Sequence, residues 1–422
     1  MKERKSENSK LSPWAWVPTL YFVEGLPYFI VTTVSIVMFK EMGMDNGTLS
    51  LLTSLITLPW VVKPLWSPFV DLVRSKRWWI VTMQFIMLAA IGLIAASVRL
   101  TTFTVTLILF IIAAFASASH DIAADGFYML ALDEKRQSAF VGIRSTFYRI
   151  ASVFGQGVLV MLAGYLERRM DDIPAAWSVT MLVSAGLLAV SSVYHLLILP
   201  RPAEDMSNAE SQTAAGILKG FGEAFASFFR KPGIWLAILF MLLYRLPEAL
   251  SIKMLFPFFR DTAEAGGLGI GVEQYGFLYG SLGVIALLAG GIIGGLVAAR
   301  HGLRKCLWPM ALSLALPCAV YLFMSVAHPQ SLWVVGACVV FDQFGYGFGF
   351  TAYMLYMMRF SDGPLKTSHY AICTAFMALS MLIPGLFAGY LQQALGYTGF
   401  FTIVMICCLA TFLVTFFARR RL

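Results

Sequence analysis

Charge is scarce in this chain. Asp, Glu, Lys and Arg make up 13% of the 422 residues, against 59% hydrophobic, and a soluble chain of this length carries about twice that charged share. A water-soluble globular enzyme or binding module is excluded on that ground. Long polar stretches are scarce too. The single one covers residues 200–232 and opens with Pro200-Arg201-Pro202-Ala203-Glu204-Asp205. Cysteine is sparse and one-sided: Cys306, Cys318, Cys338, Cys373, Cys407 and Cys408 all fall in apolar runs of the second half. They show neither metal-ligand spacing nor a pairing pattern, so they read as packing residues and no metal site is expected. No phosphate-binding loop occurs.

What fills the chain is long apolar runs. Run after run reaches the roughly 17–25 residues that cross a bilayer as helix. Hydropathy places twelve, near 14–39, 48–70, 78–98, 102–125, 139–165, 176–199, 233–259, 273–299, 306–326, 330–357, 369–393 and 396–418. The fold class is therefore an all-α polytopic membrane protein. The polar opening MKERKSENSK precedes an apolar run longer than a signal-peptide core and without a small-residue cleavage site, so a retained first helix is expected.

Basic residues set the topology. With the N-terminus in the cytoplasm, Lys and Arg crowd the cytoplasmic tails and loops, while the other side holds only Lys40, Arg99, Arg168, Arg169 and Arg260. That asymmetry follows the positive-inside rule, puts both termini in the cytoplasm and explains the net charge of +8 without nucleic acid. The expected organisation is a tail (1–13), a six-helix bundle (14–199), a cytoplasmic linker (200–232), a second bundle (233–418) and a basic tail (419–422). Within the linker, GILKGFGEAFASFFR has helical apolar spacing and reads as an amphipathic helix on the membrane surface. The halves echo each other: SPFVDLVRSKR (67–77) matches GLVAARHGLRK (295–305) in place, and Pro27 of EGLPYF matches Pro247 of YRLPEA. Such internal symmetry marks a duplicated transporter. The prolines either hinge or passively kink their helices.

Several charges fall inside the spans: Lys63, Arg144, Arg149, Arg245 and Lys253, with Glu24, Asp121, Asp125, Glu248 and Asp342. Each costs roughly 2.5–3.5 kcal/mol at a helix centre facing lipid, so they must pair or face water. Depth sorts them into two groups. Glu24, Arg245, Glu248 and Asp342 come out near mid-membrane, and Arg245 and Glu248, three apart, share a face. The carboxylates there are candidate proton carriers, and Arg245 is a candidate anion anchor. Lys63, Asp121, Asp125 and Arg144 lie nearer the cytoplasmic ends, Arg149 a turn deeper. Asp121 and Asp125 stack on one face and have Arg144 and Arg149 at matching depth on the next helix. Two readings stay open for that group: a structural network, or a charge gate or proton acceptor. Aromatic and amide groups beside the charges (Tyr21, Tyr28, Tyr148, Gln156, Tyr244, Gln343, Tyr346, Tyr353) fit a polar, bulky solute. The glycines of AGGIIGG (289–295) and FGYGFGF (344–350) suit close helix contact. His120 beside Asp121 lacks the partners of an enzyme centre.

The motifs resemble a known family. SPFVDLVRSKR is similar to the loop after the second helix of the major facilitator superfamily, with Asp71 as its acid and Arg74, Lys76 and Arg77 as its basic tail; the second copy departs, with Ala299 in the acid's place. More narrowly, GLP (25–27), KPLWSPFVD (63–71), SASHDIAADGFYML (117–130), LYRLPEA (243–249) and TAYMLYMMRFSDGPLKTSHYAICTAF (351–376) resemble the AmpG-type muropeptide permeases, grouped with acetyl-CoA transporters. The resemblance places Lys63, Asp121, Asp125, Arg149, Arg245 and Glu248 at family-type charged positions, Glu248 standing where aspartate is typical. It implies two pseudo-symmetric six-helix bundles and proton-coupled alternating access across the inner membrane, with a cavity lined by the first, fourth, seventh and tenth helices. The implied solute is an anhydromuropeptide-like cell-wall fragment, with acetyl-CoA or a siderophore-like compound as the alternative. Glu24, Arg149, Tyr244, Arg245, Glu248 and Asp342 are the expected substrate and coupling residues. Lys63, Asp71, Arg74, Arg77, Asp121, Asp125 and Arg144 are the expected cytoplasmic gate. The expected partners are a small solute, protons and the bilayer, with a monomeric chain, no nucleic acid and no cofactor. A receptor that senses without transporting is the reading from another class; it would carry a longer cytoplasmic tail than RRRL.

Overall fold

The computed structural model describes residues 12–100, 103–202, 205 and 214–421, without the side chains of Pro68, Asp71, Leu72, Glu134, Lys135, Ser138, Val141, Phe221, Thr367 and residues 214–218. Among the described residues there are helices and turns but no strand. Eleven helices are long and apolar enough to cross a membrane: Pro13–Glu41, Asn46–Ser67, Lys76–Ser97, Phe103–Ala131, Gly142–Met170, Ile173–Ile198, Ile234–Arg260, Val272–His301, Leu303–Ala327, Leu332–Phe360 and Ser368–Arg421. The last is 54 residues long, more than twice the roughly 20 residues a bilayer needs. It bends at Gly396, whose φ of 67° lies in the left-handed region. The bend divides it into an eleventh and a twelfth span, as the hydropathy pattern requires.

The fourth span runs further than its apolar pattern. The pattern stops at residue 125, yet the helix continues to Ala131. Phe127 and Tyr128 are buried, and Phe127 packs edge-on against Trp16 at 5.3 Å. Tertiary packing thus extends the helix beyond its lipid-soluble part, and Asp121 and Asp125 sit inside it, not at its end.

The two prolines act differently. The first span remains helical through Pro27 and widens into a π-helical turn at Ile30–Val34. The seventh breaks outright into Ile234–Leu243 and Leu246–Arg260, with Pro247 in the first turn of the second piece. Pro247 lacks an N–H that a helix start does not use, so the interruption falls on Tyr244 and Arg245.

The linker helix, Ala214–Phe229, forms as its periodicity predicts. Its C-terminal half docks on protein. Ala224 and Phe228 are buried, Phe228 meets Phe360, His369 and Phe376, and the Ser227 hydroxyl lies 2.9 Å from His369 Nε2. Upstream, Asp205 is buried. Its carboxylate accepts the backbone N–H groups of Lys76 and Arg77 at 2.6 and 3.1 Å, where the third span begins.

By contacts the chain divides into two units, residues 1–32, 62–155 and 166–221, and residues 33–61, 156–165 and 222–422. The first has an aromatic core around Trp16, Tyr21, Trp79, Phe127 and Tyr128. A buried polar spine runs through it: Gln84 bonds with His120 at 3.0 Å and with His195 at 3.0 Å, and His195 bonds with Thr19 at 2.9 Å. His120 is therefore a satisfied structural histidine. In the second unit, glycines bring helices together. A Cβ on Gly345 or Gly349 would strike the carbonyl of Ser313 or Met310 on the ninth span, while one on Gly347 would strike Leu287 on the eighth. Gly290 and Gly294 return the contact from the eighth span to the tenth. Small residues let backbones approach where lipid offers no hydrophobic drive.

Candidate functional site: two charge clusters

In the first unit the first, second, fourth and fifth spans bring charge together. Lys63 pairs with Asp121, and Arg144 pairs with Asp125 at 2.6 Å. The four-residue spacing stacks Asp121 and Asp125 on one face, and each takes a cation from a different helix. Tyr21 donates its hydroxyl to Asp125 at 3.2 Å. The Arg144 guanidinium lies over the rings of Tyr21 and Tyr128, 4.4 and 5.3 Å from their centroids.

Glu24 enters the same cluster. Carboxylate oxygens of Glu24, Asp121 and Asp125 all lie within 4.8 Å of one another. This corrects the grouping by depth, which sets Glu24 with Arg245, Glu248 and Asp342. Hydropathy fixes a residue's height along its own helix only coarsely, and the fourth helix is longer than its apolar run.

Not all of the residues expected beside this cluster join it. Arg144 is the partner of Asp125, and Arg149, expected at its side, is exposed. Arg74 is exposed in a left-handed turn at φ 67°. Arg77 donates to the carbonyls of Leu196 and Leu199, at the end of the sixth span. The Asp71 side chain lies outside the described residues.

In the second unit the break in the seventh span presents Arg245. Its Nε donates to Glu248 Oε2 at 2.9 Å and its Nη2 to Glu248 Oε1 at 3.2 Å, the two-pronged geometry that distinguishes arginine from lysine. Nη2 also donates to the Tyr346 hydroxyl at 2.7 Å. Phe350, Tyr346 and Tyr353 surround the guanidinium, with centroids at 4.7, 5.5 and 5.7 Å. The pair is largely buried, with side-chain exposures of 7% and 14%. Among the described residues nothing accepts a hydrogen bond from Nη1.

Tyr244 does not join this group through its hydroxyl, which donates to the Gly349 carbonyl at 3.1 Å. Asp342 is not paired with Arg245 either. It accepts from Tyr321 at 2.7 Å and from Gln343 at 3.0 Å, a carboxylate held by neutral donors. Lys253 is buried and reaches the Thr53 hydroxyl at 3.4 Å.

A third cluster has no signal in the sequence. Lys40 pairs with Asp261 at 2.8 Å and donates to Asn46 Oδ1 at 2.7 Å. The Asn46 amide in turn donates to Gln392 and Tyr397 at 2.7 and 3.1 Å, and Tyr397 donates to Asp261 at 2.6 Å. In the sequence Lys40 and Arg260 serve only to orient the chain. Apart from Lys40 and Asn46, the partners lie more than a hundred positions apart, and no local spacing announces them.

Comparison with known proteins agrees with this architecture. The family model of the Major Facilitator Superfamily matches residues 19–368. The anhydromuropeptide permease of Escherichia coli K12 is 24% identical over 387 residues, covering 90% of this chain and 74% of that protein. Among solved structures, the nucleoside transporter NupG superposes with a TM-score of 0.70 at 16% identity, over 95% of this chain and 97% of that one. A D-xylose-proton symporter gives 0.71 at 10% identity, over 96% of each chain. Those two likenesses establish the fold alone. With the family match covering most of its spans, this chain belongs to the Major Facilitator Superfamily and is a secondary transporter of that type.

Proposed function

We propose that this transporter carries an anhydromuropeptide-like cell-wall fragment across the inner membrane by proton-coupled alternating access, with both termini in the cytoplasm. Arg245 carries the reading. It is a buried guanidinium on a broken helix, caged by three aromatic rings, neutralised by Glu248 and with Nη1 still available as a donor. A muropeptide combines carboxylates on its peptide with a hydroxyl- and amide-bearing sugar. The guanidinium binds a carboxylate and the rings of Tyr346, Phe350 and Tyr353 offer a stacking wall for the sugar. Half-broken helices that expose donors at a binding site are a recurring transporter device. The similarity to the Escherichia coli anhydromuropeptide permease along 90% of the chain supports the solute class.

In this mechanism Glu248 holds Arg245 while the site is empty, and an incoming carboxylate competes for the guanidinium. Asp342, held by Tyr321 and Gln343, is the second carboxylate of this unit able to exchange a proton. Lys63 with Asp121 and Arg144 with Asp125 are proposed to break and reform as the cytoplasmic side opens and closes. The test is uptake of a labelled anhydromuropeptide by proteoliposomes bearing Arg245→Ala or Glu248→Gln. Both variants are expected to fold and to lose uptake. Full activity in both overturns the assignment of the site.

A further inference from the structure

Lys253 belongs to none of the charge clusters. It lies in the seventh span, is only 6% exposed, and forms no ion pair among the described residues. Its ammonium has three hydrogens to donate and finds one acceptor, the Thr53 hydroxyl, at 3.4 Å. Thr53 commits its own hydrogen to the Leu49 carbonyl at 2.7 Å. The next residue, Ser54, is fully buried, and its hydroxyl has no hydrogen-bond partner among the described residues. Gly385 of the eleventh span completes the place: a Cβ there would strike the Ser54 hydroxyl oxygen and stand 3.3 Å from Lys253 Cε. A buried cation without a counter-ion and a buried hydroxyl without a partner are each disfavoured, and here they are neighbours.

What the place lacks is an acceptor. The amine and the Ser54 hydroxyl both offer hydrogens, and one positive charge calls for one negative charge. The complement is a single carboxylate; a doubly charged phosphate would overshoot it, and a sugar hydroxyl would leave the ammonium uncompensated. We propose that Lys253 and Ser54 form a binding site for one carboxylate of the transported solute, with Thr53 orienting the amine. That the acid is cargo rests on the transport reading above; the site rests on these side chains alone. Arg245 stands eight positions earlier on the same span, so a solute that engages both carries two carboxylates.

The same three helices close the site. Asn46, Asp261 and Gln392 stand seven or eight positions from Ser54, Lys253 and Gly385 on the second, seventh and eleventh spans, about 11 Å along each helix. The Asn46 amide and the Tyr397 hydroxyl join these three residues by hydrogen bonds. Between the two levels the Gly389 N–H donates to the Ser50 hydroxyl at 2.8 Å. A carboxylate reaches Lys253 when the three spans part, and parting of packed helices around a fixed site is what alternating access uses.

The site is tested without any muropeptide. The purified full chain in detergent is melted in potassium glutarate and in potassium chloride at equal ionic strength, with glutaramide added to the chloride as the uncharged control. Wild type is expected to melt a few degrees higher in glutarate than in chloride, with or without glutaramide, and Lys253→Met is expected to lose that difference. In chloride, Lys253→Met should melt no lower than wild type, because it removes an uncompensated buried charge; a lysine kept for structure would give the opposite sign. Should Lys253→Met fail to accumulate, Ser54→Ala, which keeps the charge, is expected to shrink the glutarate difference. Equal melting of wild type in the two salts overturns the site, as does a difference that survives unchanged in the variant. The cargo role is read from uptake of labelled anhydromuropeptide by proteoliposomes, which Lys253→Met is expected to lower at least tenfold; unchanged uptake overturns that role. A Lys253-dependent glutarate response in a protein that carries no muropeptide leaves the site standing and removes the muropeptide, and uptake without the response does the reverse.

Discussion

Arg260 grips Glu41 with two nitrogens. Nε lies 2.6 Å from Oε1 and Nη2 lies 3.0 Å from Oε2, tying the end of the seventh span to the end of the first. The pair is lopsided: the Glu41 side chain is 2% exposed and that of Arg260 is 41% exposed. Arg260→Ala strands a buried carboxylate and should cost on the order of 3 kcal/mol. Glu41→Ala leaves an arginine already 41% exposed and should cost less. Thermal melts in detergent check the order; equal losses would contradict it.

Asp205 performs for the third span what a capping side chain does, from a distant part of the sequence. Asp205→Ala removes the acceptor of two N–H groups and should lower stability by about 1 kcal/mol. Asp205→Asn keeps one acceptor oxygen and should lose roughly half as much. Melting curves that match wild type in both variants would show that the contact stabilises nothing.

Glycines of the eighth span offer an internal control. A methyl on Gly290 meets the backbone of Phe344 and Phe348, the latter nitrogen at 2.9 Å, whereas Gly291 has its nearest neighbour at 3.8 Å and Gly295 has open space. Gly290→Ala should lose on the order of 1–3 kcal/mol through forced backbone separation. Gly291→Ala and Gly295→Ala should hold or gain up to about 1 kcal/mol from helix propensity. Thermostability of the three single variants decides it, and a harmless Gly290→Ala would remove the close-packing argument.

Much of the architecture is legible in the sequence because lipid imposes a simple code. Twelve apolar runs and the three-residue spacing of Arg245 and Glu248 translate directly into structure. Helix periodicity and depth bring Asp121 and Asp125 to the level of Arg144 and Arg149, but which cation meets which carboxylate is set by the tertiary structure. Glu24 cannot be placed the same way. Its neighbours are on other helices, and the height of each helix depends on where it ends, which for the fourth span is set by Phe127 and Tyr128 packing inside the protein. The cluster of Lys40, Asn46, Asp261, Gln392 and Tyr397 is illegible for a similar reason: each residue is unremarkable locally and gains meaning only from partners far along the chain.

Tyr244 separates packing from binding. Its hydroxyl serves Gly349, so Tyr244→Phe should cost about 1 kcal/mol of stability and leave uptake intact. Arg245→Lys should do the opposite. It keeps the charge in place but loses the planar fork that spans Glu248 and Tyr346, so the protein should fold and lose most of its uptake. Parallel melts and uptake assays distinguish the two, and a silent Arg245→Lys would reduce the site to a point charge.

The most direct measurement is uptake of a labelled anhydromuropeptide into proteoliposomes under an imposed pH gradient, with acetyl-CoA and a siderophore as competitors. Proton-coupled muropeptide transport predicts concentrative uptake that collapses when a protonophore is added and that neither competitor abolishes. A folded protein that shows no muropeptide uptake, or uptake indifferent to the protonophore, would contradict it.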